Sequence, residues 1–90
     1  MKDDRGLYYH PYPQNHKIRV YVRKPLVEIE FRMWNDADPE LWKQHGWVPY
    51  DAIRMAATMY KGDKFDARRV YDISVAKELI ATESGDPGNP

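Results

Sequence analysis

Residues 17–34 alternate apolar and polar side chains, and this pattern constrains the fold more than any other feature of the sequence. In each of the segments 17–23 and 27–34, every second residue is apolar. Such alternation is typical of β-strands with one buried face. Because few residues separate the two segments, we predict that they form an antiparallel hairpin.

We predict the register of this hairpin by requiring that the apolar side chains of both strands lie on the same face of the sheet. If Val22 lies opposite Val27, the apolar side chains of both strands share one face, and Arg19 lies opposite Glu30 on the other face. Opposite charges at paired positions favour this register. A slip of one residue would move charged side chains to the buried face. The connecting loop would then be residues 23–26.

Helical patterns follow the hairpin, at about residues 39–45, 49–61 and 67–82. Proline after a capping residue, as in Asp38-Pro39, is typical of a helix start. Since an isolated hairpin is only marginally stable in water, helices must cover its apolar face. The sequence therefore predicts a small two-layer α+β domain, in which the hairpin packs against two or three helices.

The first half of the third helix has a second interpretation. Residues 69–73 include β-branched and aromatic side chains, which favour strands. In that case they would form a third strand, and Asp72 or Ser74 would cap a shorter helix. The sequence leaves both interpretations open.

The two ends of the chain lack these periodic patterns. Residues 1–16 interleave tyrosines with prolines, which favour extended backbone, and we predict an extended Tyr/Pro-rich arm. Residues 84–90 are glycine, proline and polar residues, and we predict a disordered tail. The single α+β domain would then span residues 17–83.

Composition narrows the possible functions. The chain has 90 residues, zero net charge and no cysteine, so disulfides and thiolate metal sites are excluded. Nucleic-acid-binding domains usually carry a basic excess, which is absent. No apolar run approaches the roughly 20 residues that cross a bilayer. The charged N-terminus does not fit a signal peptide, so we expect no membrane association and a cytoplasmic location.

No catalytic, cofactor or metal site can be assigned. The histidines His10, His16 and His45 lack the spacing of zinc ligands, and the chain has no phosphate-binding or nucleophile motif. Acid–base chemistry by His45 and Tyr50, in a pocket with tryptophans, is a distant third hypothesis. These observations argue against an enzyme, and we predict no cofactor.

Surplus aromatic and methionine side chains favour a protein partner or a homo-oligomer. Tyrosine is enriched at interfaces, and the predicted second helix carries methionines beside its apolar stripe, which widens its apolar surface. We therefore expect a small interaction or accessory protein, although the tyrosines have equal reason to fold back onto their own domain. The predicted partner-binding residues are Tyr8, Tyr9, Tyr12, Met55 and Met59.

Nucleic-acid binding is the alternative function. The polar face of the hairpin combines basic and aromatic side chains, which can hold phosphates and stack on bases. Glu28 and Glu30 lie on the same face and oppose that role, so a solvated, self-neutralised face is favoured. The residues that would bind nucleic acid are Lys17, Arg19, Tyr21, Arg23 and Arg32.

Overall fold

The computed structural model describes residues 1–59 and 70–83. Within these residues, five strands form one antiparallel sheet in the order β1-β2-β3-β4-β5, accompanied by three helices. This confirms the predicted α+β class. The elements are β1 (Lys2–Asp3), β2 (Gly6–Tyr9), β3 (Ile18–Arg23), β4 (Glu30–Asn35), α1 (Glu40–Gln44), β5 (Val48–Pro49), α2 (Tyr50–Met59) and α3 (Ile73–Glu83).

The hairpin of β3 and β4 forms, but the predicted register was wrong by four residues. Val22 lies opposite Phe31 instead of Val27, and Arg23 instead of Arg19 lies opposite Glu30. A shift by an even number of residues keeps every side chain on its own face, so alternation alone cannot distinguish the two registers. The second strand consequently begins at Glu30 instead of position 27, and the loop is residues 24–29.

The N-terminal segment belongs to the sheet, so the prediction of an extended arm over residues 1–16 was wrong for its first half. β1 pairs with β2 through a two-residue turn, and β2 adds to β3 with Tyr8 opposite Tyr21 and Tyr9 opposite Val20. Gly6, just after the turn, has a φ of 130°, a conformation that favours glycine. Tyr9 therefore shares a sheet face with Val20, and Tyr8 shares the opposite face with Tyr21.

The first helix is shorter than predicted, and the second begins one residue later than predicted. α1 lacks a side-chain cap, since Asp38 contributes its backbone carbonyl to Leu41 N–H at 3.1 Å. α2 begins at Tyr50 because Pro49 is part of β5, which lies beside β4. Residues 60–61, at the predicted end of the second helix, lie outside the described residues.

The third predicted helix is interrupted: Val70 is helical, Tyr71 and Asp72 are not, and α3 begins at Ile73. Asp72 caps it through Oδ1, which accepts hydrogen bonds from the backbone N–H of Ser74 at 2.9 Å and of Val75 at 3.3 Å. The shorter, Asp72-capped helix was one of the two interpretations of the sequence, but Val70–Asp72 do not form a strand. Residues 67–69 and the predicted tail, 84–90, lie outside the described part of the chain.

The main core lies between one face of the sheet and α2 and α3. Its sheet side is formed by side chains of β3, β4 and the loop between them, and its helix side by one residue from each long helix and one before α3. This arrangement follows the apolar periodicities of strands and helices. The buried core residues are Val20, Val22, Ile29, Phe31, Ile53, Val70 and Ala76.

The Tyr9 hydroxyl joins β2 to the start of α3. It donates a hydrogen bond to the Val70 carbonyl and accepts one from the Asp72 N–H at 2.8 Å. Burial raises the pKa of Tyr9 above its usual range, so the hydroxyl keeps the proton that it donates. Within residues 1–59 and 70–83, no helix has the length and apolar character needed to span a membrane.

We expect Tyr9→Phe to lower the free energy of unfolding by roughly 1–3 kcal/mol, because it leaves a partly buried N–H and a carbonyl without their partner. Tyr12→Phe is the matched control, since Tyr12 is 39 % exposed and its hydroxyl bonds to none of the described residues. Urea titration of both variants measures the difference. Equal stability of the two variants would contradict this role of Tyr9.

Candidate functional site

The loop that joins β3 to β4, residues 24–29, forms a projecting hairpin tip. Leu26 is 86 % exposed and Val27 is 88 % exposed, the highest values among the large apolar side chains that the structure describes. Isolated apolar residues are common on protein surfaces, but two adjacent ones at a projecting turn are less easily explained by the fold. Neither side chain contributes to the main core.

The base of the hairpin tip is held against the start of α2. Glu28 Oε2 accepts a hydrogen bond from the Asp51 N–H at 3.0 Å, and the Tyr50 N–H donates to the Ile29 carbonyl at 2.9 Å. Glu28 thereby satisfies one of the free N–H groups at a helix N-terminus. The exposed apolar pair is therefore presented from a base with defined contacts.

A cleft of about 610 Å³, which we call the tip cleft, lies between the hairpin tip and the first residues of α2 and α3. Its apolar lining is Val27, Ile29, Tyr50 and Ile73. The volume is within the range of clefts that bind ligands or side chains. An open cleft with an apolar lining beside exposed apolar residues is suited to receiving side chains of another molecule.

Of the four charged side chains that line the tip cleft, the two carboxylates have a partner and the two lysines form no ion pair among the described residues. Asp51 forms an ion pair with Arg54, and Glu28 bonds to a backbone N–H as described above. Lys24 and Lys77 line the same cleft, and within the described residues neither forms an ion pair. Among the described residues, the cleft therefore offers two lysines that form no ion pair, beside two carboxylates that already have a partner.

The opposite face of the sheet is covered by aromatic side chains. Tyr21 is fully buried, because the ring centroids of Tyr8 and Trp42 each lie 5.3 Å from its own. Trp42 comes from α1 and also makes edge contacts with Trp34 and Trp47, both at 6.1 Å. The three tryptophans thus form a second cluster on the face opposite the main core.

Arginine side chains stack on this cluster. The guanidinium carbon of Arg32 lies 3.9 Å from the Trp42 ring centroid, that of Arg5 lies 4.0 Å from Trp34, and that of Arg23 lies 4.3 Å from Trp47. Arg32 also donates to the backbone carbonyls of residues 42 and 45. Stacked, hydrogen-bonded guanidinium groups of this kind have a structural role in holding α1 on the sheet.

Asp3 connects β1 to the same face. Its Oδ2 accepts hydrogen bonds from the Tyr21 hydroxyl at 2.5 Å and from Arg19 Nη1 at 3.1 Å. Burial acts to raise the pKa of Asp3, but the bonds from Tyr21 and the Arg5 N–H, together with the Arg19 charge, outweigh it and lower the pKa. The ionised carboxylate therefore stabilises this end of the sheet.

Most of the predicted nucleic-acid-binding residues make contacts within the domain. Tyr21 is buried instead of solvated, so it cannot stack on a base in this conformation. Arg19 pairs with Asp3 at 3.1 Å, and Arg23 Nε lies 2.6 Å from Glu30 Oε1. The remaining two, Arg32 and Lys17, lie at a tryptophan ring and on the exposed surface.

The predicted partner-binding residues lie on different parts of the molecule. Tyr8 packs on Tyr21 and Tyr9 bonds to the start of α3, so both have contacts within the fold. Tyr12 and Met55 are 39 % and 57 % exposed. The Met59 side chain lies outside the part of the chain that the structure describes.

The three histidines lie in two places among the described residues, and His45 shares its cleft with Tyr71 instead of Tyr50. The His10 and His16 rings stack at 4.3 Å, and His45 lines a small cleft of about 240 Å³ that does not include Tyr50. Within the described residues, no three histidine or carboxylate side chains are grouped so that they could hold a metal ion. The acid–base pair considered from the sequence is therefore not assembled.

The exposed pair at the hairpin tip was missed by the sequence analysis, which placed Val27 in the apolar face of a strand and Leu26 in a four-residue connecting loop. Two signals could have identified it. Leu26 and Val27 are adjacent, which breaks the alternation, and Pro25 precedes them. Proline is disfavoured inside paired strands and common in turns.

We expect Asp3→Asn to reduce the loss of stability in acid. A lowered carboxyl pKa contributes stability that is present above the ordinary value of 3.8 and is lost as pH falls through the lower folded-state pKa. Urea unfolding between about pH 6 and pH 3 should show a shallower decline for the variant. Asp4→Asn is the control, because the Asp4 carboxylate makes no described contact. Identical pH profiles for wild type and Asp3→Asn would contradict the assignment.

Comparison with known proteins gives no relative from which a function could be transferred. No protein-family model matches the sequence. No curated protein and no solved structure matches the chain either.

Proposed function

We propose that this chain is a small non-catalytic interaction protein that docks on a partner protein through its hairpin tip. The observation that carries the proposal is the pair Leu26 and Val27, both more than four-fifths exposed beside the tip cleft. Exposed apolar side chains next to a concave apolar surface are typical of binding sites. Such docking would make the chain an accessory subunit of a larger partner, and a cytoplasmic location is part of the same proposal.

The defined base of the hairpin tip supports the proposal. The contacts of Glu28 with the Asp51 N–H and of Tyr50 N–H with the Ile29 carbonyl restrict the loop at its C-terminal end. A loop that is already ordered loses less conformational entropy when it binds, and its affinity for a partner rises accordingly. The exposed Met55 on α2 offers additional apolar area.

The N-terminal tyrosines contribute less to this proposal than the sequence suggested. Tyr8 and Tyr9 already make contacts within the domain, and their removal from the sheet would cost those contacts. We therefore assign docking to the hairpin tip and not to the N-terminal segment. Among the three predicted tyrosines, Tyr12 retains the greatest exposure for a partner.

Nucleic-acid binding remains the alternative proposal, with less support. The arginines of the second face are paired with carboxylates or stacked on tryptophans, so phosphate groups would have to compete with these contacts. A sequence with zero net charge adds no long-range attraction for a polyanion. The exposed Lys17 alone cannot supply several phosphate contacts.

We expect the double substitution Leu26→Ser and Val27→Ser to abolish capture of the partner while leaving the domain stable. Tagged wild-type and variant proteins would be used for affinity capture from the native organism, with quantitative mass spectrometry. A protein retained stoichiometrically by the wild type should be lost with the variant. Since both side chains are exposed, the free energy of unfolding should change by no more than about 0.5 kcal/mol.

Tyr12→Ser is the matched control for this experiment, because it removes an exposed aromatic ring from the N-terminal segment. Capture should survive this change. If the double variant retains the partner and Tyr12→Ser loses it, docking belongs to the N-terminal segment and the assignment to the hairpin tip is wrong.

A further inference from the structure

The tip cleft combines two kinds of recognition surface. Its lining of Val27, Ile29, Tyr50 and Ile73 is apolar, and the neighbouring Leu26 extends the apolar area beyond the cleft. Burial of one or two aliphatic side chains against such a lining is favourable by the hydrophobic effect. The occupant must therefore carry an exposed apolar anchor.

Charge complementarity narrows the occupant further. Lys24 and Lys77 line the cleft without an ion-pair partner among the described residues, whereas Asp51 is paired with Arg54 and Glu28 caps α2. A carboxylate that enters the cleft can pair with either lysine without displacing an existing contact. A cation that enters would meet two carboxylates whose charge is already partly offset, one by Arg54 and one by the N-terminus of α2, so it gains less from the cleft than a carboxylate does.

We infer that the tip cleft binds an acidic, apolar peptide segment of a partner protein, in which a leucine-like anchor is flanked by aspartate or glutamate. This inference rests on the proposed function and specifies the chemistry of the partner at the same site. The apolar residues fill the cleft, and the flanking carboxylates pair with Lys24 and Lys77. Electrostatic attraction of this kind contributes to specificity and to the association rate.

A second copy of this chain fits the cleft less well. Its own exposed anchor, Leu26, has Lys24 two residues before it and Glu28 two residues after it. Glu28 is already bonded to the Asp51 N–H of its own chain. The entering segment would therefore bring a lysine to a surface that already has two, with a carboxylate that is already in use. Like charges at close range oppose association. A partner with carboxylates beside its anchor avoids this repulsion.

The test begins with selection of a phage-displayed library of random decapeptides on the full chain. We expect enrichment of peptides that carry leucine, isoleucine or phenylalanine next to aspartate or glutamate. The most enriched peptide is then labelled, and its binding is measured by fluorescence anisotropy at increasing salt. Affinity should fall as the ionic strength rises, because exposed ion pairs are screened.

Variants locate the binding site. Lys24→Gln and Lys77→Gln should each weaken the selected peptide by about two- to fivefold, as expected for the loss of one exposed ion pair. Leu26→Ser should weaken it by about tenfold or more, as for an apolar anchor at an interface. Lys17→Gln changes the net charge equally at a distant position and should leave the affinity unchanged.

Three results would overturn the inference. The first is that the selection enriches basic peptides, or no peptides at all. The second is that wild type, Lys24→Gln and Lys77→Gln bind the selected peptide with equal affinity. The third is that the protein forms a concentration-dependent dimer that Leu26→Ser abolishes. In the first two cases, loss of partner capture by the double tip variant would still support docking at the tip, so only the chemistry of the partner would be wrong. Failure of the proposed function would instead show as capture that the double tip variant does not change.

Discussion

The cross-strand pairing of Val22 with Phe31 determines where most other residues of this domain lie. Both side chains are buried in the main core, and their pairing sets the register of β3 and β4 along their whole length. In an antiparallel pair, one such contact determines which side chains oppose each other and which face each occupies. Residues 24–29 are then left over as the connection, and Leu26 and Val27 cannot enter the sheet.

The need to cover both faces of this sheet accounts for the many aromatic residues in a short chain. A sheet has two faces, and a 90-residue domain has few helices with which to cover them. α2 and α3 cover one face, while Tyr8, Trp42 and their neighbours cover Tyr21 on the other. Arginines stacked on tryptophan rings complete that second layer with side chains that have an apolar stem and a charged head.

The sequence predicted the two longest strands and the three helices, because local patterns indicate them, but it did not predict β1, β2 or β5. Alternation identified β3 and β4 and their faces, the Asp38-Pro39 start signal identified α1, and apolar helical stripes identified α2 and α3. The register could not be predicted, because an even shift changes no face and the preference is decided by partners distant in sequence. The addition of β2 to β3 and the addition of β5 to β4 at Phe31 are two such contacts.

The candidate site was harder to predict than the fold. Exposure of Leu26 and Val27 depends on the register, so the error in register concealed the site as well. Tyr8 and Tyr9 were recognised as residues that needed a partner, but their partner is β3 of the same chain. Local composition indicates that a side chain requires burial and does not indicate which surface buries it.

The register of β3 and β4 is the central claim of this account, and methyl and aromatic proton contacts measured by NMR test it most directly. We predict nuclear Overhauser effects between the Val22 methyl groups and the Phe31 ring, and none between the methyl groups of Val22 and Val27. The amide of Val27 should exchange rapidly with solvent. A strong contact between the methyl groups of Val22 and Val27, with a protected Val27 amide, would place the apolar pair in the sheet and contradict both the register and the interaction surface derived from it.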